Sequence, residues 1–205
     1  MLAAHWVPGY FAAALSQPKW RPEWSPLRRT ILWIAAMGSA VAPDLDAIYN
    51  TLFHGSVYHS TLWTHSVFPH AVVALGWLLL AGYGRWPYLQ ALVGLMAVGG
   101  WSHLLLDVVS HGTPLLFPLS FLMFGAPSLR VLEGGVLAYV TDPIFLVEPL
   151  LLGLAAAHFV TCRCATGAAK RLATVVFVFG IATFTAGFLL SLPALQALVA
   201  AWPGS

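Results

Sequence analysis

Long apolar runs, separated by short segments with proline, glycine and charged residues, are the main pattern of this 205-residue sequence. Runs of this length predict helices. They lie at about residues 2–16, 29–49, 66–84, 88–111, 143–161 and 171–192, and a short interfacial helix is predicted to follow Pro193 as far as Trp202. The first run would form a helix of only about 22 Å, which is short for a bilayer span, so a re-entrant or tucked position is an alternative to crossing.

The runs predict an all-α polytopic membrane bundle of about five to six helices, forming one integral membrane domain over residues 1–205. A core at 5–145 would contain most of the polar residues, with C-terminal helices at 143–202. The segment 112–142 is rich in proline and glycine and predicts a small irregular or β-hairpin insert. Its RVLEGGVLAYV stretch has β-branched residues around a glycine pair, as a hairpin would.

Composition supports a membrane location, because 60% of the residues are hydrophobic and 8% are charged. Soluble domains are about one quarter charged. The net charge of +2 and the scattered basic residues exclude a nucleic-acid surface. Cys162 and Cys164 are too few for a four-ligand zinc site and predict free thiols. The N-terminal stretch lacks the basic start of a cleaved signal peptide and is predicted to be retained.

The basic residues of the short loops predict the orientation, since lysine and arginine concentrate in cytoplasmic loops. If all six runs cross, three loops share one side and hold most of the basic residues, namely Lys19, Arg21, Arg28, Arg29, Arg85, Arg163, Lys170 and Arg171. We therefore expect a multi-pass protein of the cytoplasmic (inner) membrane, with both termini on the non-cytoplasmic side.

Histidine and aspartate residues occupy the opposite ends of the same runs. They are His5, Asp44, Asp46, His65, His103, Asp107, His111 and Asp142. His103, Asp107 and His111 are spaced four residues apart and share one helix face. A charge within the bilayer costs at least about 2.5–3.5 kcal/mol. Several carboxylates at one depth therefore need groups or ions that compensate their charge. A site facing the non-cytoplasmic side is predicted.

A divalent metal ion compensates such a cluster directly, and mixed carboxylate and imidazole ligands favour zinc, manganese or iron. Each residue also has a structural alternative. A single aspartate at a helix end is usually a cap, and a single histidine in an apolar run is usually a packed core residue. Asp142 is as readily interpreted as a helix cap as a metal ligand. His59, in a histidine-rich loop, is a candidate for an accessory metal ligand.

Several of these residues lie in segments that resemble a known family. The segments are His5, P-D-L-D at 43–46, T-H-S at 64–66, SHLLLDVVSHGTPLLFPLS at 102–120 and T-D-P at 141–143. In these segments, across roughly residues 5–145, the sequence resembles the YdjM-like family of membrane-bound metal-dependent hydrolases. That family is similar to zinc-dependent phospholipases C and P1-type nucleases in its His-x-x-x-Asp helix. The resemblance implies a hydrolase with one or two metal ions, most simply zinc.

The expected function is therefore hydrolysis of an ester, most simply a phosphoester, at the outer membrane boundary. Asp44, Asp46, His65, His103 and Asp107 would hold metal, with His5 and His111 as further ligands. Either Asp44 or Asp46 would be the catalytic base. Membrane lipids and a small-molecule or lipid substrate are the expected partners. The alternatives are metal or proton transport, which predicts polar residues across the whole bilayer, and a scaffold in which the cluster only fixes helix packing.

Overall fold

The computed structural model describes residues 4–54, 63–110, 112–125, 147–162 and 167–200, and these residues are mainly helical. The helices are α1 (Trp6–Ser16), α2 (Pro26–Val41), α3 (Leu45–His54), α4 (Val67–Tyr83), α5 (Pro87–Ser110), α6 (Val147–Cys162) and α7 (Gly167–Ala200). A 3-10 turn at Ala42–Asp44 joins α2 to α3 without a gap, so the described chain has six helical rods and no strand. The predicted all-α bundle of five to six helices is confirmed.

Within the described ranges, three stretches are long and apolar enough to cross a membrane. They are Pro26–His54, Pro87–Ser110 and Gly167–Gly187. Two further apolar helices, α4 and α6, are shorter. Helix α1 has 11 residues and a length of about 16 Å, so it is too short to span the hydrocarbon core.

The chain divides into two compact units, Met1–Ala126 and Pro127–Ser205. In the second unit α6 packs against α7, with Gly180 so close to α6 that an added Cβ would lie 2.9 Å from the carbonyl oxygen of Pro149. The first unit contains α1 to α5 and every described residue of the predicted polar cluster. A single domain over the whole chain stays a prediction.

Helices in the first unit alternate in direction. His5, which precedes α1, contacts Asp44 just after α2, and His65, which precedes α4, contacts His103 near the end of α5. At the other end the rings of Trp24 and Tyr88 meet. The polar cluster and the two loops that connect α1 to α2 and α4 to α5 therefore lie at opposite ends of this unit.

Small residues allow α1, α2 and α5 to approach closely. A Cβ added at Gly9 of α1 would lie 2.1 Å from the carbonyl oxygen of Ala36 on α2. One added at Gly99 of α5 would lie 2.7 Å from that same oxygen and 2.1 Å from Ser39 Oγ. Membrane helices associate through small residues because lipid provides little hydrophobic drive for helix contact.

Proline has different effects at three helix positions. Helix α2 begins at Pro26, three residues before the predicted start. The Ser25 hydroxyl caps it by accepting a hydrogen bond from the Arg28 backbone N–H at 3.3 Å. Pro43 lies in the 3-10 turn that separates α2 from α3. Pro193 does not end α7, which continues to Ala200, so the predicted break there is wrong. Membrane helices tolerate proline when neighbouring groups satisfy the released carbonyl.

The segment after α5 is irregular, as predicted, over residues 112–125. It forms turns and one isolated bridge between Thr113 and Phe124. The predicted hairpin at 130–140 lies outside the described residues.

Candidate metal centre

Histidine and aspartate side chains from four parts of the first unit meet at one end of its helices. They are His5 before α1, Asp44 and Asp46 at the junction of α2 and α3, His65 before α4, and His103 and Asp107 on α5. Every side chain in this group is fully buried except Asp44, whose side chain is 10% exposed. Burial of so many ionisable groups together requires mutual compensation or an ion.

Local structure explains how these side chains converge. His103 and Asp107 are four residues apart on α5 and therefore project from one face. Pro43 lacks a backbone N–H and interrupts the rod, so Asp44 lies in a tight turn at the junction. His65 ends a 3-10 turn, and the Thr113 hydroxyl donates to its backbone carbonyl at 3.2 Å.

Four ligand atoms form the centre of the cluster: Asp44 Oδ1, His65 Nε2, His103 Nε2 and Asp107 Oδ2. The two imidazole nitrogens are 3.3 Å apart. Asp44 Oδ1 is 3.7 Å from each of them. Asp107 Oδ2 is 3.5 Å from His65 Nε2 and 3.1 Å from His103 Nε2.

These separations are close to those between neighbouring ligand atoms of one metal ion. Metal bonds of about 2.0–2.2 Å to nitrogen and oxygen place neighbouring ligand atoms about 3.3–3.6 Å apart in a tetrahedron. The five distances of 3.1–3.7 Å bracket that range. In each of these five pairs the two atoms are therefore close enough to bind the same ion.

Hydrogen bonds fix which imidazole nitrogen faces this space. His103 Nδ1 lies 2.9 Å from the carbonyl oxygen of Ala40, which can only accept, so Nδ1 is the protonated nitrogen. His65 Nδ1 is similarly 3.1 Å from Asp46 Oδ2. In the neutral rings both Nε2 atoms then present lone pairs to each other, and a cation between them relieves the repulsion.

Asp44 Oδ1 also fits a bound cation. It is buried and has no hydrogen-bond partner in the part of the chain that the structure describes. An unsatisfied buried acceptor costs about 1–3 kcal/mol, more when it is charged. Asp44, His65 and His103 can thus hold a metal ion, and Asp107 Oδ2 lies 3.1 Å from His103 Nε2 beside them.

His5 lies beside this centre and links its carboxylates. Its Nδ1 is 2.7 Å from Asp44 Oδ2, and its Nε2 is 3.3 Å from Asp107 Oδ1. With His103 and Asp107 it forms a second group that can hold a metal ion. The residue common to both groups is His103. Asp107 faces His5 with Oδ1 and His65 and His103 with Oδ2, and a carboxylate placed in this way is suited to bridge two ions.

The carboxylates also set the protonation of His65. Burial alone lowers the pKa of His65, but the neighbouring carboxylates of Asp44, Asp46 and Asp107 outweigh it and raise the pKa to about 9. A metal ion bound by His65 would have to displace the proton that these carboxylates favour on the ring.

The family comparison adds independent information. A family described as "YdjM inner membrane protein" matches residues 1–194. This chain belongs to the YdjM inner membrane protein family. Nothing among the curated proteins or the solved structures matches it. The resemblance expected from the sequence motifs is confirmed, and the match assigns this YdjM family member to an inner membrane family.

The predicted residues divide into those that meet at the centre and those that do not. Asp46 lies behind His65, on the Nδ1 side of the ring. His111, His59 and Asp142 lie outside the described residues. Metal binding by the predicted set stays a prediction, although the structure brings the central residues together.

Sequence reasoning on this YdjM family member missed the groups that orient the ligands. The Ala40 carbonyl has no side-chain signature, so no sequence pattern reveals it. Thr113 is fully buried and holds the His65 turn. Its position directly after the His-x-x-x-Asp helix was the available signal.

We expect Asp46→Asn to lower metal affinity about 10–100-fold while leaving the number of ions at saturation unchanged. The reason is that Asp46 orients His65 from the side opposite the centre. Competition with a chelator of known affinity measures the change. Glu23→Gln, an exposed carboxylate at the other end of the unit, is the control. A loss of all metal from Asp46→Asn would instead make Asp46 a direct ligand.

Proposed function

We propose that this protein is a membrane-embedded metal-dependent hydrolase that cleaves a phosphoester or lipid-type ester at the outer face of the cytoplasmic membrane. The observation that supports this proposal most is the close spacing, 3.1–3.7 Å over five atom pairs, of the buried atoms Asp44 Oδ1, His65 Nε2, His103 Nε2 and Asp107 Oδ2. Two nitrogen and two oxygen ligands suit zinc best, with manganese or iron as substitutes.

When bound, the metal would supply an acidified water molecule and would polarise the ester oxygen. The protein residues have separable tasks. His65 and His103 present Nε2 because Asp46 and Ala40 hold their Nδ1 atoms. Asp44 faces the centre with Oδ1 and contacts His5 with Oδ2, so the Asp44 and His5 pair can accept the proton released by the attacking water. This geometry favours Asp44 over Asp46 as the base.

Access to the cluster is from the Asp44 side, because Asp44 is its one partly exposed side chain among the described residues. Helix α3 begins directly after Asp44 and has two different faces. Asp46 and Asn50 are buried, one turn apart. Leu45, Ile48, Tyr49, Leu52 and Phe53 are exposed around the rest of the helix. An apolar helix surface beside the entrance supports a substrate with acyl or polyprenyl chains.

Transport is less well supported by the packing beneath the cluster. The interior of the first unit between its two ends is apolar, with Leu32, Ala36 and Leu95 buried. Gly9 and Gly99 bring the backbones of α1 and α5 against Ala36. An ion or proton pathway needs polar groups or water across this layer. The Ser39 hydroxyl lies there, but it donates to the Ala36 carbonyl of its own helix, and the buried residues of the core cluster around it are apolar.

The proposal is tested by hydrolysis assays on the purified, zinc-loaded protein with a panel of phosphomonoesters, phosphodiesters and phospholipids. Removal of metal with a chelator should abolish hydrolysis, and added zinc should restore it. A protein that holds stoichiometric metal and cleaves no ester class would refute the hydrolase proposal. A protein that binds no metal would instead favour the scaffold alternative.

We expect His5→Ala to retain at least one metal ion per chain but to lower turnover about 100-fold or more. His5 lies outside the four-atom centre yet bonds to the carboxylate proposed as the base. Metal analysis and turnover are measured on the same preparation, with His54→Ala, an exposed histidine at the end of α3, as the control. A metal-free His5→Ala protein would show that His5 is essential for the first ion.

A further inference from the structure

A basic and aromatic groove lies at the end of the first unit opposite the His/Asp cluster. Its volume is about 500 Å³. It is formed by the connection between α1 and α2, the connection between α4 and α5, and the first turns of α2 and α5. The residues that define it, which we call the arginine groove, are Arg21, Arg28, Arg85, Trp24, Trp86 and Tyr88. The proposed hydrolase does not use any of them.

The arginine groove is separate from the metal centre. Tyr88 and His103 are both on α5, fifteen residues apart, which corresponds to about 22 Å along the helix. The apolar layer around Leu32 and Leu95 lies between them. A ligand in the groove therefore cannot reach the His/Asp cluster, and the groove is not a part of the same active site.

Positive charge predominates in the groove. Three arginines face a single carboxylate, Glu23, whose Oε1 is 3.7 Å from Arg21 Nη1 in an exposed pair. An exposed ion pair of this kind contributes little free energy of interaction. Within the described ranges neither Arg28 nor Arg85 forms an ion pair with a carboxylate. The groove thus offers two guanidinium groups to an anion.

Aromatic contacts orient part of this charge. The Arg28 guanidinium lies 5.4 Å from the centre of the Tyr88 ring, and the Tyr88 hydroxyl donates to the Arg28 carbonyl at 3.3 Å. Trp24 is buried and packs edge-on against Tyr88. Trp86 is 60% exposed. Tryptophan and tyrosine at the ends of membrane helices are typical of headgroup depth.

An apolar surface begins beside the groove. Leu27, Ile31 and Ile34 are exposed at intervals of four and three residues, so they form one row along α2. This apolar row begins at Leu27, in the same helical turn as Arg28. Leu89, exposed in the first turn of α5, lines the groove itself. Charge at the rim and an apolar row along the helix match a molecule with a charged head and long chains.

We propose that the arginine groove binds the headgroup phosphate of an anionic phospholipid, with the acyl chains along the exposed row of α2. Guanidinium groups bind phosphate oxygens with two parallel hydrogen bonds, and basic clusters next to membrane helices recognise anionic lipids. The loops that form the groove are those predicted to be cytoplasmic, where anionic lipids concentrate. The bound lipid holds the α1–α2 and α4–α5 connections together.

The test is native mass spectrometry of the full, delipidated protein in neutral detergent, titrated with phosphatidylglycerol or phosphatidylcholine. Phosphatidylglycerol should bind at least ten-fold more tightly. The double variant Arg28→Gln/Arg85→Gln should lose about 30-fold in phosphatidylglycerol affinity, as expected for two basic residues at an anionic membrane surface. Arg28→Lys/Arg85→Lys, which keeps the charge, should retain most of the affinity.

The matched control is Lys170→Gln/Arg171→Gln, which removes the same charge from exposed positions on α7. It should change affinity less than two-fold. An equal loss in both glutamine variants would overturn the proposal, because the effect would then be general surface charge. Displacement of the bound lipid by inorganic phosphate at an equal concentration would also overturn the proposal. If the double variant fails to fold, Arg85→Gln alone should still lose about five-fold, and an unchanged affinity there refutes the site.

Discussion

Replacing His103 with alanine should reduce the metal content of the purified protein at least ten-fold. His103 belongs to both groups of side chains that can hold a metal ion, so its loss affects either position. It also removes the one imidazole that contacts Asp44, His65 and Asp107 at once. Without His103, neither group keeps the three side chains that can hold a metal ion.

Elemental analysis after exhaustive dialysis measures this effect. Asp107→Asn provides a variant of nearly unchanged volume, which separates loss of a ligand from loss of packing. His54→Ala, an exposed histidine at the end of α3, should keep the normal metal content. Normal metal content in both His103→Ala and Asp107→Asn would refute the metal centre, because no remaining group among the described residues contains three of its ligands.

Gly99→Ala is expected to destabilise the protein by about 1–3 kcal/mol, although it adds only one methyl group. The new Cβ would lie 2.7 Å from the Ala36 carbonyl oxygen, 3.0 Å from the Ala40 nitrogen and 2.1 Å from Ser39 Oγ. Backbone atoms cannot move aside as a flexible side chain can. Helices α2 and α5 must therefore separate.

The matched control is Gly38→Ala on α2, where no atom lies within 4 Å of the added Cβ. Relief of glycine's backbone entropy should make that variant neutral or more stable by about 0.5–1 kcal/mol. Unfolding in detergent, followed by circular dichroism, compares the two. Of the two variants, only Gly99→Ala should lose metal, because the Ala40 carbonyl on the displaced helix accepts the hydrogen bond that orients His103. Equal stability of the two variants would contradict the close contact.

Periodicity and composition predicted the helices and most of the candidate site. His103 and Asp107 follow from spacing on one helix, and His5, Asp44 and His65 follow from their common position at helix ends. Asp46 was predicted as a ligand equal to Asp44, but it lies behind His65. The difference depends on how far the chain rotates in the 3-10 turn at Pro43, and no sequence rule fixes that rotation.

Other features needed three-dimensional information. The sequence shows Gly9 and Gly99 but not that both face the Ala36 carbonyl. Arg28 and Arg85 were read as indicators of orientation because their contact with one groove depends on two separate loops. Pro193 suggested a helix end, whereas lipid surroundings permit the helix to continue.

Helix α1 has a consequence for how the protein is assembled. At 11 residues it is about half the thickness of the hydrocarbon core, so the membrane insertion machinery would gain little by releasing it into lipid alone. Its position depends instead on Gly9 against Ala36 and on His5 against Asp44. The docking of α1 therefore depends on a surface that α2 and the turn after it provide.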